Sequence, residues 1–215
     1  MSLIKDTTTW ASDEHKMFAD STRKLFEAEM APNVDKWAEQ GIVDRAFWKT
    51  VGQQGVMGGA IAEDYGGSGG DIAFDAIAIY EQGRVGDTGW GYGIQTIVIH
   101  YINAYGSEEQ KSKWLPRLIS GDSVAAIAMT EPGTGSDLQN VQTYAEKDGN
   151  HYKINGSKIF ITNGHTADLI VVVAKTDRGA GAKGVSLIVL ETEEAEGFRR
   201  GRNLKKLGMK GSDTA

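Results

Sequence analysis

Residues 126–137 read AIAMTEPGTGSD, and here the chain changes from a helical to an extended hydrophobic pattern. An apolar strand leads into this stretch, and Pro132, Gly133 and Gly135 bend the backbone beyond it. Because glycine has no Cβ, such a bend lets a ligand approach the backbone closely and reach unpaired N–H groups. Residues 160–164, FITNG, are predicted as a second strand that ends in Thr, Asn and Gly. The two strand ends together predict a site for a flat cofactor with polar edges. By itself, the first bend is equally consistent with an ordinary Pro-Gly turn.

The composition excludes several classes of protein. The 215 residues carry a formal net charge of −6, which makes nucleic acid a poor partner for the chain as a whole. The sequence has no cysteine, so it holds no disulfide, thiolate nucleophile or cysteine metal site. The four histidines are scattered and lack the i, i+4 spacing of a zinc site, so no metal is expected.

The N-terminus shows neither of two common targeting patterns. It lacks the apolar core of a signal peptide, and it carries Asp6, Asp13 and Glu14 where a transit peptide would be rich in arginine. Apolar runs such as residues 169–174 are too short to span a bilayer. These features predict a cytoplasmic protein with no membrane span.

Residues 1–121 are predicted to form an all-α domain. Four segments carry apolar side chains at helical spacing: residues 12–30, 44–54, 71–85 and 94–105. Ser12 is the expected N-cap of the first helix. The residues from Ser107 to Gln110 fit a capping box that would begin a further helix.

Residues 122–215 are predicted to form a β domain that is incomplete at its C-terminal end. Six strands are expected: residues 124–129, 141–147, 151–154, 158–162, 168–175 and 184–190. Asn155-Gly156 is expected as the two-residue turn of a hairpin, because both residues tolerate a positive φ. Since the strands follow one another without intervening helices, we expect an antiparallel barrel or sandwich, not a parallel sheet.

Six segments, taken in order, resemble segments of the acyl-CoA dehydrogenase family: residues 62–71, 105–111, 129–138, 154–158, 160–164 and 206–210. Their order and approximate spacing are similar to those of the family, and the resemblance extends over nearly all of the chain. Residues 198–210 look most similar to the long-chain branch. The family's architecture is α + β and multidomain, with a helical N-terminal domain, a β middle domain and a C-terminal helical bundle. The chain is expected to contain the first two domains only, without the bundle, and thus to be a truncated form.

The resemblance implies that the β domain binds FAD. The family's cofactor contacts carry over onto nine positions: Ile127, Ala128, Met129, Thr130, Gly135, Ser136, Phe160, Ile161 and Thr162. Met129 and Thr130 would contact the pyrimidine edge of the isoalloxazine ring through backbone and hydroxyl groups. Thr162 would lie near flavin N5, with Phe160 and Ile161 beside the ring. Donors at these atoms stabilise the reduced, anionic flavin.

The resemblance also implies contacts to the pyrophosphate and to the substrate. Gly135 would meet the FAD pyrophosphate, and Ser136 would meet the CoA portion of the substrate. His100 lies in an apolar helix that helps to wall the acyl cavity in the family, which makes it a second candidate for substrate contact. A hydrogen-bonded core histidine is the alternative interpretation of His100. Phe160 stands where many relatives carry Trp, so the packing over the ring differs there.

The family's reaction implies a fatty acyl-CoA substrate and a trans-2-enoyl-CoA product. A glutamate base removes the α proton of the thioester, and the β hydride passes to flavin N5. Electrons would then pass to an electron-transfer flavoprotein, and the full-length protein would be a homotetramer, a dimer of dimers. The base is expected beyond Ala215, so no catalytic residue is assigned within this chain. Glu131 belongs to the cofactor loop, and Glu81 is expected on a helix surface.

Two alternatives remain open. An acyl-CoA oxidase would carry the same motifs but would hand its electrons to oxygen. A non-catalytic protein that binds flavin or acyl-CoA would fit if the chain truly ended at Ala215.

Overall fold

The computed structural model describes residue 4, residues 8–86 and residues 89–215; Asp6, which entered the prediction of location, lies outside them. The chain forms two compact units. The helical unit contains Met1–Ser123 and Lys205–Ser212, and the sheet unit contains Val124–Leu204 and Asp213–Ala215.

The helical unit contains six α-helices among the described residues: α1 (Asp13–Leu25), α2 (Val34–Gln40), α3 (Arg45–Gln53), α4 (Ala73–Arg84), α5 (Tyr92–Tyr105) and α6 (Glu108–Ile119). Both predicted caps are confirmed. The Ser12 hydroxyl accepts a hydrogen bond from the backbone N–H of His15 at 3.3 Å. Ser107 and Gln110 form a reciprocal capping box at the start of α6. These side chains satisfy N–H groups that have no partner within the helix.

Aromatic side chains make up much of the core of the helical unit. The Trp90 ring lies 5.3 to 5.7 Å from the rings of Phe26, Phe47 and Trp48, all edge-to-face, and it stacks on Tyr92 at 4.8 Å. Such offset and edge-to-face pairs place the positive ring edge against a negative ring face. Helices α3 and α5 are therefore fixed to one another through Trp90.

Glu81, expected on a helix surface, is buried in this unit, so that expectation is wrong. Its side chain is 1% exposed, and Arg84 Nη1 lies 3.0 Å from its Oε2. The sequence pattern gave the wrong prediction because α4 buries polar residues, including Asp75 and Gln82, together with apolar ones. The arginine that pairs with Glu81 three residues later is what makes the burial of its charge tolerable.

The sheet unit contains five strands among the described residues: β1 (Ala125–Ala128), β2 (Tyr144–Asp148), β3 (His151–Asn155), β4 (Leu169–Lys175) and β5 (Val185–Glu191). Six of the seven residues of β4 are buried, which marks this strand as the centre of the sheet. It pairs in parallel with β1, with Ile127 opposite Val171, and antiparallel with β5. One parallel pair joins it to β2, which forms a hairpin with β3.

The predicted fold class, a helical domain followed by a β domain, is confirmed. The sheet itself is mixed and open, so the antiparallel arrangement expected throughout does not hold for β1 and β4, and "barrel" does not describe it. The physical reason is the long connection between these two strands, since only a long crossover allows neighbouring strands to run parallel.

The strand predicted at residues 158–162 and the hairpin turn predicted at Asn155-Gly156 are wrong. Residues 156–161 form no strand, and Thr162 makes only an isolated bridge to Thr214. A Cβ at Gly156 would lie 2.2 Å from Thr143 Oγ1, so this glycine serves a close approach of two backbone segments. The hairpin of β2 and β3 turns at residues 149–150, between the strands expected at 141–147 and 151–154.

A small apolar core lies on one face of the sheet. Ala126 and Ala128 of β1 and Ile170 and Val172 of β4 contribute to it, and Ile161 joins them from outside the strands. Ile161 thereby anchors residues 160–162 to the sheet, next to the end of β1.

Across the described residues, the helices are all too short or too polar to cross a bilayer.

Candidate functional site

The bend predicted after β1 is confirmed. Glu131 and Thr134 exchange backbone hydrogen bonds of 2.8 and 3.1 Å, which places Pro132 and Gly133 at the centre of a tight turn. The Thr134 hydroxyl donates to the backbone oxygen of Asn140 at 3.2 Å and holds the far side of the loop. Residues 129–134 are therefore a defined loop at the end of a buried strand.

The second predicted segment lies against this loop. The backbone N–H of Ile159 donates to the Thr130 oxygen at 2.9 Å, and Lys158 Nζ donates to the Met129 oxygen at 2.8 Å. Met129 and Thr130, the expected contacts of the pyrimidine edge, are thus held beside the segment that continues into Phe160. The loop after β1 and the segment that leads into Phe160 therefore lie together within the sheet unit.

Backbone strain is concentrated in residues 160–164, which are called the strained segment below. Phe160 has φ of 62° and Asn163 has φ of 61°, a left-handed conformation that is uncommon for residues other than glycine. Phe160 is 62% exposed, whereas Ile161 is buried. A strained backbone that presents a bulky apolar ring outward is a feature that occurs at ligand sites. Thr162, which lies between Ile161 and Asn163, is partly buried.

The C-terminal residues fix the other side of this segment. Ile161 and Ala215 exchange backbone hydrogen bonds of 2.8 and 3.0 Å, and Thr162 bridges Thr214. The buried carboxylate of Asp213 accepts hydrogen bonds from the N–H groups of His165 and Thr166 at 2.7 and 3.0 Å. Its partners are therefore the residues that immediately follow the strained segment.

Sequence reasoning missed Asp213 and the role of Asn163. The buried amide of Asn163 donates to the Ala125 oxygen at 2.9 Å, which ties the strained segment to β1. From the sequence, an Asn before Gly predicts only the end of a strand. The signal for Asp213 is weak, because a carboxylate within a short polar run is usually exposed.

An ion pair joins the loop to Lys158. Glu131 Oε1 is 2.9 Å from Lys158 Nζ, and the two side chains are 5% and 10% exposed. Glu131 also accepts hydrogen bonds from the backbone N–H groups of Gln142 and Thr143, at 2.6 and 2.9 Å. Burial alone would raise the pKa of Glu131, but the hydrogen bonds from Thr143, Gln142 and Lys158 outweigh it and lower the pKa to about 2. Burial lowers the pKa of Lys158, and the Glu131 carboxylate opposes that shift.

The remaining cofactor candidates fall into two groups. Ile127 and Ala128 are buried in β1 and paired with β4, so their backbone is fixed in the sheet. Gly135 and Ser136 are exposed in the loop. A Cβ added at Gly135 would have no atom within 4 Å, so the backbone is open on that side.

His100 lies in the helical unit, on α5. Its Nε2 is 2.7 Å from Oδ2 of the buried Asp75, and the other oxygen of Asp75 accepts a hydrogen bond from the Tyr92 hydroxyl at 2.7 Å. Burial, and then the Asp75 carboxylate, raises the pKa of the Tyr92 phenol well above its usual value. The alternative of a hydrogen-bonded histidine therefore has structural support, although the imidazole side chain keeps 31% of its surface exposed.

In the part of the chain that the structure describes, no cluster of three His, Asp or Glu side chains could hold a metal ion.

Comparison with known proteins identifies both halves of the chain. The model of the acyl-CoA dehydrogenase N-terminal domain matches residues 12–122, and that of the acyl-CoA dehydrogenase middle domain matches residues 126–215. The long-chain specific acyl-CoA dehydrogenase, mitochondrial, of Sus scrofa is 47% identical over 207 residues, which cover 95% of this chain and 48% of that protein.

Solved structures give the same result. A crystal structure of acyl-CoA dehydrogenase from Geobacillus kaustophilus matches with a TM-score of 0.93 and 44% identity over 97% of this chain and 55% of that one. A glutaryl-CoA dehydrogenase from Mycobacterium smegmatis, crystallised in complex with FADH2, matches with a TM-score of 0.87 and 32% identity, over 97% and 53%. The chain spans about half the length of the relatives that it matches. Because both of its halves match one family in sequence and in fold, the chain belongs to the acyl-CoA dehydrogenase family.

Proposed function

We propose that the sheet unit binds FAD through the loop after β1 and the segment that follows Lys158. The observation that carries the proposal is the pairing of these two stretches through Ile159 N–H and the Thr130 oxygen, at 2.9 Å. The residues fit the cofactor. An exposed aromatic ring at Phe160 can pack against the isoalloxazine, and the open backbone at Gly135 can approach a phosphate.

We assign roles to the residues of this chain as follows. Met129 and Thr130 hold the pyrimidine edge, Thr162 donates near N5, and Phe160 and Ile161 lie beside the ring. Ile127 and Ala128 supply the rigid strand from which the loop projects, and Gly135 meets the pyrophosphate. When bound, FAD supplies an acceptor for hydride. Donors held at its edge before reaction stabilise the charge that develops there without reorganisation.

The proposed reaction is the dehydrogenation of a fatty acyl-CoA to the trans-2-enoyl-CoA. The name of the porcine relative supports a long acyl chain. Ser136 would contact the CoA part of the substrate and His100 the acyl part, with Asp75 orienting the imidazole. The proposal assigns no base within residues 1–215. Glu131 is unsuitable because its pKa of about 2 makes it a weak proton acceptor.

The fate of the electrons separates the proposal from its enzyme alternative. We propose an electron-transfer flavoprotein as acceptor, whereas an acyl-CoA oxidase would release hydrogen peroxide in the presence of oxygen. A non-catalytic flavin or acyl-CoA binding protein would bind FAD and acyl-CoA but would leave the flavin oxidised.

Three further features of the whole protein are part of the proposal. The helical and β domains divide at residues 121 and 122. The full-length protein assembles as a homotetramer, a dimer of dimers. It works in the cytoplasm, in contrast to the porcine relative, whose name places that protein in mitochondria; fractionation of the source cells tests this point.

The test of the proposed function uses the full-length protein loaded with FAD. Acyl-CoA thioesters of increasing chain length are added with an electron-transfer flavoprotein as acceptor, and enoyl-CoA is measured. We expect turnover that is fastest with a long-chain substrate and that needs no oxygen. Peroxide in proportion to product would favour the oxidase, and bound acyl-CoA without product would favour the non-catalytic alternative.

A further inference from the structure

Three hydrogen bonds donated by residues 158 and 159 hold the loop after β1. Lys158 Nζ donates to the Met129 oxygen at 2.8 Å and to Glu131 Oε1 at 2.9 Å, and the N–H of Ile159 donates to the Thr130 oxygen at 2.9 Å. Each of the residues from Met129 to Glu131 therefore accepts a hydrogen bond from residue 158 or 159. Of these three bonds, two depend on a single side chain, that of Lys158.

Glu131 extends the same set of contacts to a third segment. Its Oε2 accepts from the N–H of Gln142 at 2.6 Å, and its Oε1 accepts from the N–H of Thr143 at 2.9 Å. The carboxylate thus fixes the start of β2 relative to the loop. Through Glu131 and Lys158, the loop, the stretch before β2 and the stretch before Phe160 have one defined arrangement.

Stability alone does not explain why a charged pair occupies this place. The two side chains are 5% and 10% exposed, so both charges have lost most of their hydration. The desolvation of a buried pair commonly cancels its Coulomb attraction, and an apolar pair of similar volume is often as stable. What an apolar pair could not supply is a donor for the Met129 oxygen, together with a carboxylate for two backbone N–H groups.

We propose that Lys158 is a positioning residue for the bound flavin: with Glu131 it sets the separation and alignment of Met129–Thr130 and Phe160–Thr162, and so the fit of both segments to the isoalloxazine. This inference rests on the proposed function. Lys158 touches the backbone of the candidate contacts, and the proposal gives it no contact with the flavin itself. Its removal should therefore alter how the flavin is held while the fold persists.

Four variants of the full-length protein test the role of the pair. Lys158→Met removes both side-chain hydrogen bonds and leaves the Glu131 charge unpaired. The double variant Glu131→Gln with Lys158→Met removes both charges together, so the net charge near the site is the same as in the wild type. Lys158→Arg keeps a cation that can reach both acceptors. Lys153→Met is the matched control, because Lys153 pairs with Asp148 on the exposed hairpin of the same unit.

Three properties are measured for each variant: the dissociation constant of FAD, the midpoint potential of the bound flavin, and the melting temperature of the protein without FAD. In Lys158→Met and in the double variant, we expect the dissociation constant to rise about tenfold or more and the potential to shift. Lys158→Arg should recover most of the loss, and Lys153→Met should match the wild type. The double variant should melt at a higher temperature than Lys158→Met, because it leaves no charge unpaired.

The outcomes separate this inference from the proposed function. If the wild type binds FAD and the double variant has unchanged affinity and potential, Lys158 has no positioning role and the proposed function stands. A loss of affinity that tracks melting temperature across all four variants, with an unchanged potential, would also overturn the inference, because it indicates a purely structural role. If the wild type itself binds no FAD, the proposed function fails.

Discussion

Phe160 shows how far a single residue can depart from what its type predicts. Its backbone is left-handed, with φ of 62°, although a bulky side chain disfavours that region, and its ring is exposed although aromatic rings are usually buried. Neither property can be read from the letters FITNG, which favour a strand. The conformation is imposed by neighbours: Ile161 is held by the core and by Ala215, and Asn163 by Ala125.

The strain at Phe160 leads to a prediction that separates stability from binding. Phe160→Gly should raise the free energy of unfolding of the FAD-free protein by about 1 kcal/mol, because glycine adopts a positive φ without strain. The same change should weaken FAD binding, because the ring that packs on the flavin is lost. Urea unfolding and FAD titration measure the two effects.

Tyr152→Gly is the control for Phe160→Gly, since Tyr152 is an exposed aromatic residue in strand β3. It should lower stability, as glycine does in a strand, and leave FAD binding unchanged. A Phe160→Gly variant that is less stable than the wild type would contradict the assignment of strain to Phe160.

Glu131 gives a prediction for the effect of acid. Its pKa in the folded protein is about 2, below the ordinary value of 4.5, so it stabilises the fold above pH 4.5 and that contribution is lost as the pH falls toward 2. The loss should amount to about 3 kcal/mol in the free energy of unfolding. We expect Glu131→Gln to remove this part of the acid sensitivity, as measured by urea unfolding at a series of pH values. Glu146→Gln, at an exposed position of β2, is the matched control. If the free energy of unfolding depended on pH equally in the wild type and in Glu131→Gln, the Glu131 carboxylate would not be the source of this stabilisation.

At the scale of elements, short sequence motifs correctly predicted the starts of two helices. Ser12 and Ser107 act through residues three positions away, so the helix starts were predictable. The partner of a strand depends on the whole connection between strands, and β1 pairs in parallel with β4 although 40 residues lie between them. Asn155-Gly156 is a strong hairpin signal, yet Gly156 is used for its close approach to Thr143. The sequence Asn-Gly does not distinguish a glycine that serves a hairpin turn from one that allows a close approach of two segments.

The capping box gives a prediction at this scale. Ser107→Ala should lower the free energy of unfolding by about 1 kcal/mol, because the N–H of Gln110 at the start of α6 loses its acceptor. Ser112→Ala, on the exposed side of the same helix, should be neutral or slightly stabilising. Thermal or urea unfolding measures both. A cost at Ser112 as large as that at Ser107 would mean that the cap is not responsible.

At the scale of the whole molecule, the order of six short motifs predicted the family, and the match of both halves to family models confirms it. The nine cofactor positions come from that resemblance, and they stay a prediction. The resemblance gave the loop and the strained segment as contacts, but it did not predict the buried ion pair of Glu131 and Lys158 that joins them. Such a pair has no sequence signal, because its members lie 27 residues apart and each is usually an exposed residue type.

The most direct test of the central claim is amide hydrogen exchange of the full-length protein with and without FAD. If the loop and the strained segment hold the cofactor, FAD should slow exchange in residues 129–136 and 160–162, with little change in the hairpin of β2 and β3. Protection confined to other segments, with residues 129–136 and 160–162 exchanging at the same rates in both states, would contradict the account.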